Sequence, residues 1–425
     1  MTGTATGRRP APVRIDDLAD PRFPPDVEAM RAGMAAMAAD ISLGPDALMA
    51  AAAAETGLDD FGADDFRERL DVLGGALRTE AGLGPSGVVS AYAQLVSLLK
   101  NRLLIEDLLR RHPEIHDVRI ERPIVVCGLP RTGTTHLHNL MAADPALRSL
   151  PYWESLEPVL AESERPGPGE ADPRLARTKA ALDFVNTAMP YFERMHEMTV
   201  DHVHEEIQLL AIDFSTMLFE TTAPMPTWRD YYLAHDQTPH YAYLRTVLKA
   251  LQWLRGGERW VLKSPQHIEQ FPALRATFPD ATFVVTHRDP VAVTTSVATM
   301  LSYTARVNQD PVDPVRIGGY WADRTERMLR ACVDDRGVLP ADQTIDVEFD
   351  EFMADDVAMV ERIYELARQP FTAEARATMD AFMAEHPRGK FGGVVYDLAD
   401  FGLDREELRA RLRFYVERFG VTEEG

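Results

Sequence analysis

Residues 123–137 have the sequence PIVVCGLPRTGTTHL, and this stretch decides the fold class of the 425-residue chain. It opens with a short apolar, β-branched run, which is typical of a buried strand. A loop with glycine at both ends follows, and Leu137, Leu140 and Met141 then recur at helical spacing. A strand, a glycine-bounded loop and a helix in this order direct backbone N–H groups at an anion such as phosphate.

The loop can be compared with the nucleotide-binding motif G-x-x-x-x-G-K-[ST]. Gly128 and Gly133 have the required separation, and Thr135 stands at the hydroxyl position. Thr134, however, replaces the lysine that grips the β- and γ-phosphates. The nearest cation is Arg131, inside the loop. The sequence therefore predicts a phosphate cradle, but not that of an ordinary NTPase.

Composition excludes several classes of function. Lys and Arg number 45 against 67 Asp and Glu, which gives a net charge of −22. Such acidity argues against non-specific binding to nucleic acid or to an anionic membrane. The two cysteines, Cys127 and Cys332, are far apart and indicate neither a disulfide framework nor a metal cluster. With no signal peptide and no membrane-length apolar run, the chain is expected to be cytoplasmic.

The pattern divides the chain into three parts. Residues 1–25 are expected to form a flexible tail, and 26–120 a helical region that serves as a cap or an oligomer surface. Residues 121–425 are expected to form an α/β domain, because short apolar strands alternate with helices and thus favour a central parallel sheet with helices on both faces. The predicted strands are 123–127, 260–262, 281–286 and 344–349.

Three of these strands end in polar clusters, at residues 128–135, 263–267 and 287–288. In parallel sheets, ligands bind outside the carboxyl ends of the strands. If the strands are neighbours, the three clusters face one crevice. This convergence is the main physical argument for a functional site.

Several side chains in these clusters suit an anionic ligand. The loop offers N–H groups and the hydroxyls of three threonines, and Arg288 with Ser296, eight residues later, could grip a second phosphate. Lys263 is a compact charge suited to a leaving phosphate oxygen. A basic loop at 386–393, HPRGKFGG, could close over an anion as a lid.

A general base has more than one candidate. His267 follows Lys263 by four residues and lies in the same expected crevice. His204, Glu205 and Glu206 form a second source of bases. The default interpretation of that short acidic run is a solvated helix end.

Residues 128–135 resemble the 5′-phosphosulfate loop of sulfotransferases that use 3′-phosphoadenosine-5′-phosphosulfate (PAPS). Cytosolic members commonly have Pro-Lys-Ser-Gly-Thr-Thr where this chain has PRTGTT at 130–135. The spacing from Arg288 to Ser296 is similar to that of the family's 3′-phosphate motif. Other segments resemble the bacterial branch, namely 56–58 through 101–103, 260–300, and 394–397 through 401–403.

The resemblance implies a PAPS sulfotransferase fold and a role for each matching position. Lys263 would stabilise charge on the bridging oxygen, and Arg388, Gly389 and Lys390 fall where the family has a late nucleotide-binding loop. Arg131 would serve both binding and catalysis. The 5′-phosphosulfate would be held by Arg131, Thr132, Gly133, Thr134 and Thr135, and the 3′-phosphate by Arg288 and Ser296.

The sequence departs from the family's pattern at the position of the general base. Cytosolic members use the histidine of a Lys-Thr-His segment, whereas Lys263 and Ser264 are followed here by Pro265, and His267 comes two positions late. Other branches use a glutamate, so Glu205 and Glu206 stay open. The sequence predicts sulfuryl transfer from PAPS to a hydroxyl of a small or lipid-like acceptor without a metal. The alternatives are a P-loop kinase and a non-catalytic nucleotide-binding protein.

Overall fold

A computed structural model describes residues 10–424 of the chain. The helical region predicted near the N-terminus is present as four helices. Proline stands at the first turn of three of them, where its missing N–H removes no helical hydrogen bond. The four helices are α1 (Pro25–Ala38), α2 (Pro45–Thr56), α3 (Phe66–Thr79) and α4 (Pro85–Arg111).

A five-stranded sheet forms the centre of the remaining chain. All its pairings are parallel, and the strand order is β2-β3-β1-β4-β5. This confirms the predicted fold class, and the short edge strand β2 is the one that the sequence pattern missed. The strands are β1 (Ile124–Cys127), β2 (Leu147–Arg148), β3 (Arg259–Ser264), β4 (Thr282–His287) and β5 (Thr344–Glu348).

Helices connect the strands and complete the C-terminal part. None of the helices in residues 10–424 is long and apolar enough to cross a bilayer. Between β1 and β4 lie α5 (Thr134–Ala142), α6 (Tyr152–Leu156), α7 (Pro173–Ala188), α8 (Ile207–Ala211), α9 (Pro226–Ala234), α10 (Thr238–Arg255) and α11 (Phe271–Thr277). After β4 come α12 (Pro290–Ala305), α13 (Pro314–Asp335), α14 (Phe349–Ala354), α15 (Asp356–Ala367), α16 (Ala373–Glu385) and α17 (Arg405–Phe419).

Both faces of the sheet are buried. Alternate residues of β1 belong to different hydrophobic clusters, since Val125 lies in one and Ile124 and Val126 lie in the other. Successive side chains of a strand point to opposite faces, so each face has its own core. Burial on both faces explains why the parallel strands are continuous apolar runs rather than alternating ones.

The N-terminal helices share a core with one of these faces. Leu70 of α3 and Leu99 of α4 belong to the same hydrophobic cluster as Leu262 of β3. The division of the chain near residue 120 therefore stays a prediction.

The expectation of a flexible tail fails for residues 10–24. Val13 pairs with Val394, and Ile15 and Leu18 are buried in a cluster with Met189. These few apolar side chains hold an otherwise polar segment against the body of the protein. The rest of the expected tail, residues 1–9, lies outside the described residues.

Candidate active site

The strand order brings the three polar clusters to one edge of the sheet. β1 lies between β3 and β4, with Cys127 beside Ser264 on one side and Val285 on the other. The loop after β1 is therefore flanked by the ends of β3 and β4. This is the carboxyl edge at which open parallel sheets bind ligands.

The loop at residues 128–133 is tightly packed against β4. A Cβ on Gly128 would lie 1.9 Å from Oγ1 of Thr286, so no side chain fits there. The Thr132 hydroxyl lies 2.7 Å from the Thr286 hydroxyl and donates to the Leu129 carbonyl. These contacts fix the path of the backbone before it enters α5.

The loop ends with an open helix N-terminus. Arg131 and Gly133 both have positive φ, at 71° and 83°, which turns the chain sharply into α5. Within the described chain, no side chain caps the first N–H groups of α5. Uncapped N–H groups and the helix dipole favour an anion at this position.

Arg131 connects the loop with two distant parts of the chain. Its Nε donates to Oγ of Ser296 on α12 at 3.0 Å, and its Nη2 donates to the Tyr396 hydroxyl at 3.3 Å. Its Nη1 donates to the carbonyl of Met195. Arg131 and Ser296 are thus in contact, although they belong to two motifs that were predicted separately.

Arg288 extends from the end of β4 to the same place. Its Nη1 donates to the carbonyl of Arg131 at 2.7 Å, and its guanidinium stacks 4.1 Å from the ring centre of Phe349. Its Nε and Nη2 donate to the carboxylate of Glu424 at 2.6 and 2.9 Å. The carboxylate of Glu424 therefore occupies the edge of the guanidinium that could otherwise donate two hydrogen bonds to a phosphate.

Lys263 and Glu205 form an ion pair behind the loop. The Lys263 side chain is almost fully buried, and its ammonium donates to the Glu205 carboxylate. The same Nζ lies 3.5 Å from Oγ1 of Thr135, at the start of α5. A cation, a carboxylate and the anion loop thus come together at one point.

The interpretation of residues 201–206 as a solvated helix end is wrong. Glu206 is fully buried, and its two carboxylate oxygens share one donor, the backbone N–H of Lys263, at 2.9 Å each. Burial raises the pKa of its carboxyl. Glu206 therefore braces β3 and lies outside the cavity wall described below.

His267 also turns away from the site. It is fully buried, with Nδ1 2.9 Å from the Tyr241 hydroxyl and Nε2 3.3 Å from Glu206. The cause is the 3-10 turn Pro265–Glu269, which carries the ring into the core. His267 does not line the cavity, which favours Glu205 over His267 as the candidate general base.

A cavity of about 1050 Å³ opens in front of these residues. Lys263 and Ser296 are not on its wall but contact residues that form it, and Thr132 lies between the wall residues Arg131 and Gly133 in the chain. Nine of the predicted residues lie on its wall, namely Arg131, Gly133, Thr134, Thr135, Glu205, Arg288, Arg388, Gly389 and Lys390. The wall also has apolar residues, among them Leu182, Val185, Met189, Met217, Leu301 and Trp321.

The late basic loop reaches the same cavity but is held by acidic partners. Arg388 donates to Asp356 at 2.9 Å and to the Met353 carbonyl at 2.8 Å. Lys390 lies 3.8 Å from Glu197. These exposed contacts are weak in water, so the two cations can exchange partners at little cost in free energy.

The sequence did not point to three residues that lie at the candidate site, His196, Tyr396 and Glu424. His196 lines the cavity beside His202 and His204. Burial, with a further contribution from the charge of Lys263, lowers the pKa of all three rings, and that of His202 falls to about 2. The only signal for Tyr396 was its place in the tail segment that resembles the bacterial branch.

Comparisons with known proteins show which fold and family the chain resembles. Crystal structures of two mycobacterial sulfotransferases match the fold. STF1 from Mycobacterium tuberculosis H37Rv has 33% identity over 86% of this chain and 97% of its own, with a TM-score of 0.76. STF9 from Mycobacterium avium has 27% identity over 91% of this chain and 99% of its own, with a TM-score of 0.80.

Curated protein sequences give no match. The model of the Sulfotransferase family, however, matches residues 123–373, from the start of β1 to the start of α16. More than half of the chain lies in that match, and the STF1 structure extends the likeness beyond it. The chain belongs to the sulfotransferase family.

Proposed function

We propose that the protein transfers the sulfuryl group of PAPS to a hydroxyl of a small or lipid-like acceptor. The observation that carries this proposal is the contact between the two anion motifs, Arg131 with Ser296 and Arg288 with Arg131, beside a large cavity. Two phosphate-binding groups at one strand edge suit a nucleotide with phosphates at two positions. The apolar residues of the cavity wall suit an acceptor with a hydrophobic body.

The residues present fit PAPS as donor. The uncapped N-terminus of α5, the threonine hydroxyls and Arg131 would hold the 5′-phosphosulfate, and Arg288 with Ser296 the 3′-phosphate. Arg388, Gly389 and Lys390, which line the same cavity, would also contact the nucleotide. The bound donor would supply an activated sulfuryl group, and no metal is invoked because cations and N–H dipoles can stabilise the developing charge.

Glu205 is the proposed general base, because it is the glutamate of the pair that reaches the cavity. It takes the proton of the acceptor hydroxyl as the oxygen forms its bond to sulfur. The bond from sulfur to the bridging phosphate oxygen breaks, and the charge on that oxygen is stabilised by Lys263. Adenosine 3′,5′-bisphosphate (PAP) and the sulfate ester leave.

PAPS consumption with a panel of alcohols, phenols, sterols and sugars tests this function. Formation of PAP that depends on an acceptor, together with a sulfated product by mass spectrometry, is the expected result. If PAP binds but no member of a broad panel is sulfated, a non-catalytic nucleotide-binding role replaces the proposal.

Removal of either arginine should weaken the binding of PAP. The Arg131→Ala and Arg288→Ala variants each lose a charge-assisted contact to phosphate, which corresponds to roughly 10- to 100-fold in Kd. Isothermal titration calorimetry measures the effect. Unchanged affinity in both variants would remove the basis of the nucleotide assignment.

Glu424 should compete with the 3′-phosphate for Arg288. The Glu424→Gln variant is expected to bind PAP roughly two- to fivefold more tightly, because a partly exposed ion pair is worth up to about 1 kcal/mol. Glu423→Gln, an exposed neighbour with the same change of charge, is the control and should bind like the wild type. Weaker binding by Glu424→Gln would mean that the carboxylate orients Arg288 instead.

A further inference from the structure

Three histidines line the cavity next to the proposed base, and the proposed mechanism uses none of them. The ring centres of His196 and His202 are 5.3 Å apart, and those of His202 and His204 are 6.1 Å apart. The ring of Tyr152 lies 4.7 Å from that of His204. The three rings line the same cavity as Glu205, and burial together with the charge of Lys263, which pairs with Glu205, lowers the pKa of each ring, so the group lies near the proposed point of transfer.

Two of the rings are buried without a hydrogen-bond partner. His202 and His204 are each 9% exposed, and Nε2 of His202 and Nδ1 of His204 have no partner among the described residues. His196 differs, because its Nδ1 lies 3.2 Å from the carbonyl of Glu197. A ligand in the cavity would therefore meet the other nitrogen of each ring, Nδ1 of His202 and Nε2 of His204, which is not enclosed and also has no partner among the described residues. Polar groups at buried sites are nearly always hydrogen-bonded, so these two nitrogens point to a partner outside the protein.

The unpaired atoms of this pair are distinctive in their position. The other enclosed side-chain atoms without a partner in residues 10–424 belong to residues outside the cavity wall. Among the enclosed side-chain atoms of that wall, those without a partner within residues 10–424 are thus Nε2 of His202 and Nδ1 of His204.

The chemistry of the rings defines the group that they would bind. Burial lowers the pKa of both imidazoles far below neutrality, so each ring is uncharged and has one donor and one acceptor. A hydroxyl also donates and accepts, whereas a carboxylate only accepts. An uncharged hydroxyl therefore matches these rings.

We infer that His202 and His204 recognise a second hydroxyl of the acceptor, close to the hydroxyl that receives the sulfuryl group. The acceptor class is then an apolar body with two neighbouring hydroxyls. The inference rests on the proposed function and narrows it. The two rings are specificity-determining residues, and Glu205 keeps the role of base.

A matched pair of alcohols tests the inference by binding alone. Wild-type protein saturated with PAP is titrated with decane-1,2-diol and with decan-1-ol, and the titrations are repeated without nucleotide. The diol is expected to bind roughly tenfold more tightly or better. Equal affinity for the two alcohols, or tighter binding of decan-1-ol, overturns the inference.

Variants identify the residues responsible. In the His202→Leu/His204→Leu protein the preference for the diol should fall to within about twofold, with the affinity for decan-1-ol retained. The His202→Gln/His204→Gln protein should recover part of the preference, and His116→Leu, an exposed site away from the cavity, should keep all of it. A full preference in the leucine variant overturns the assignment, and if that variant does not fold, the glutamine variant and the wild type decide.

The nucleotide serves as a separate control. Failure of PAP to bind the wild type contradicts the proposed function. The diol preference measured without nucleotide still tests the two histidines in that case.

Discussion

The Glu205→Gln variant is expected to lose roughly 10²- to 10⁴-fold in kcat, the usual contribution of a general base. The amide keeps the size of the side chain and a hydrogen bond to Lys263, but it cannot accept the proton of the acceptor hydroxyl. Affinity for PAP should change little, since the proton is removed only in the transfer step. Steady-state kinetics with the acceptor found in the PAPS screen, and calorimetry with PAP, separate the two quantities.

Two further variants control for charge and for stability. Glu258→Gln removes an exposed carboxylate outside the cavity and should keep the wild-type kcat. His267→Gln should lower the free energy of unfolding, because the contact with Tyr241 is disturbed, and leave kcat within a few-fold of the wild type. A Glu205→Gln enzyme with full turnover, or a folded His267→Gln enzyme without it, would contradict the assignment of the base.

The Lys263→Met variant should lose roughly 10²- to 10³-fold in kcat, as when one donor to a developing oxyanion is removed. Methionine has an apolar side chain of similar length that suits the buried position of Lys263, but it has no positive charge to stabilise the leaving oxygen. The loss should be larger in kcat than in affinity for PAP, because the charge on the bridging oxygen develops during transfer. Single-turnover rates at saturating PAPS measure it.

The double variant Lys263→Met/Glu205→Gln checks that the pair acts as a unit. Residues in direct contact give non-additive effects, so the double variant should lose no more than about tenfold beyond the worse single variant. Fully multiplied losses, or a Lys263→Met enzyme within about fivefold of the wild type, would contradict the role given to this ion pair.

The fold could be predicted because its signals are local. The β-branched run before Gly128 and the apolar runs before Lys263 and His287 each mark a buried strand. Strands that alternate with helices have few topologies, so the meeting of their polar ends follows from the sheet itself. The loop was identified by its glycines, and the close approach of Thr286 to Gly128 explains why that glycine is required.

The direction of a side chain after a strand could not be predicted in the same way. His267 and Glu205 each stand in a polar stretch of the sequence. A single 3-10 turn nevertheless carries the His267 ring into the core. Glu205 faces the cavity because Glu206, one residue on, is anchored to the backbone of β3. Glu205 and Glu206 are thus adjacent glutamates in opposite environments, and only the tertiary structure distinguishes them.

Contacts between distant segments were also beyond the sequence. Tyr396 reaches Arg131 across 265 residues, and Glu424 reaches Arg288 across 136. Neither side chain belongs to a motif with its own local spacing. Their positions depend on how the C-terminal segment packs against the loop and β4.

The most direct test of the central claim is a calorimetric titration of the wild-type protein with PAP and, separately, with ATP and Mg²⁺. The expected result is saturable 1:1 binding of PAP that is lost or strongly weakened in Arg131→Ala, with far weaker binding of ATP in the presence of Mg²⁺. Tight Mg²⁺-dependent binding of ATP together with no binding of PAP would contradict the account and favour a P-loop kinase.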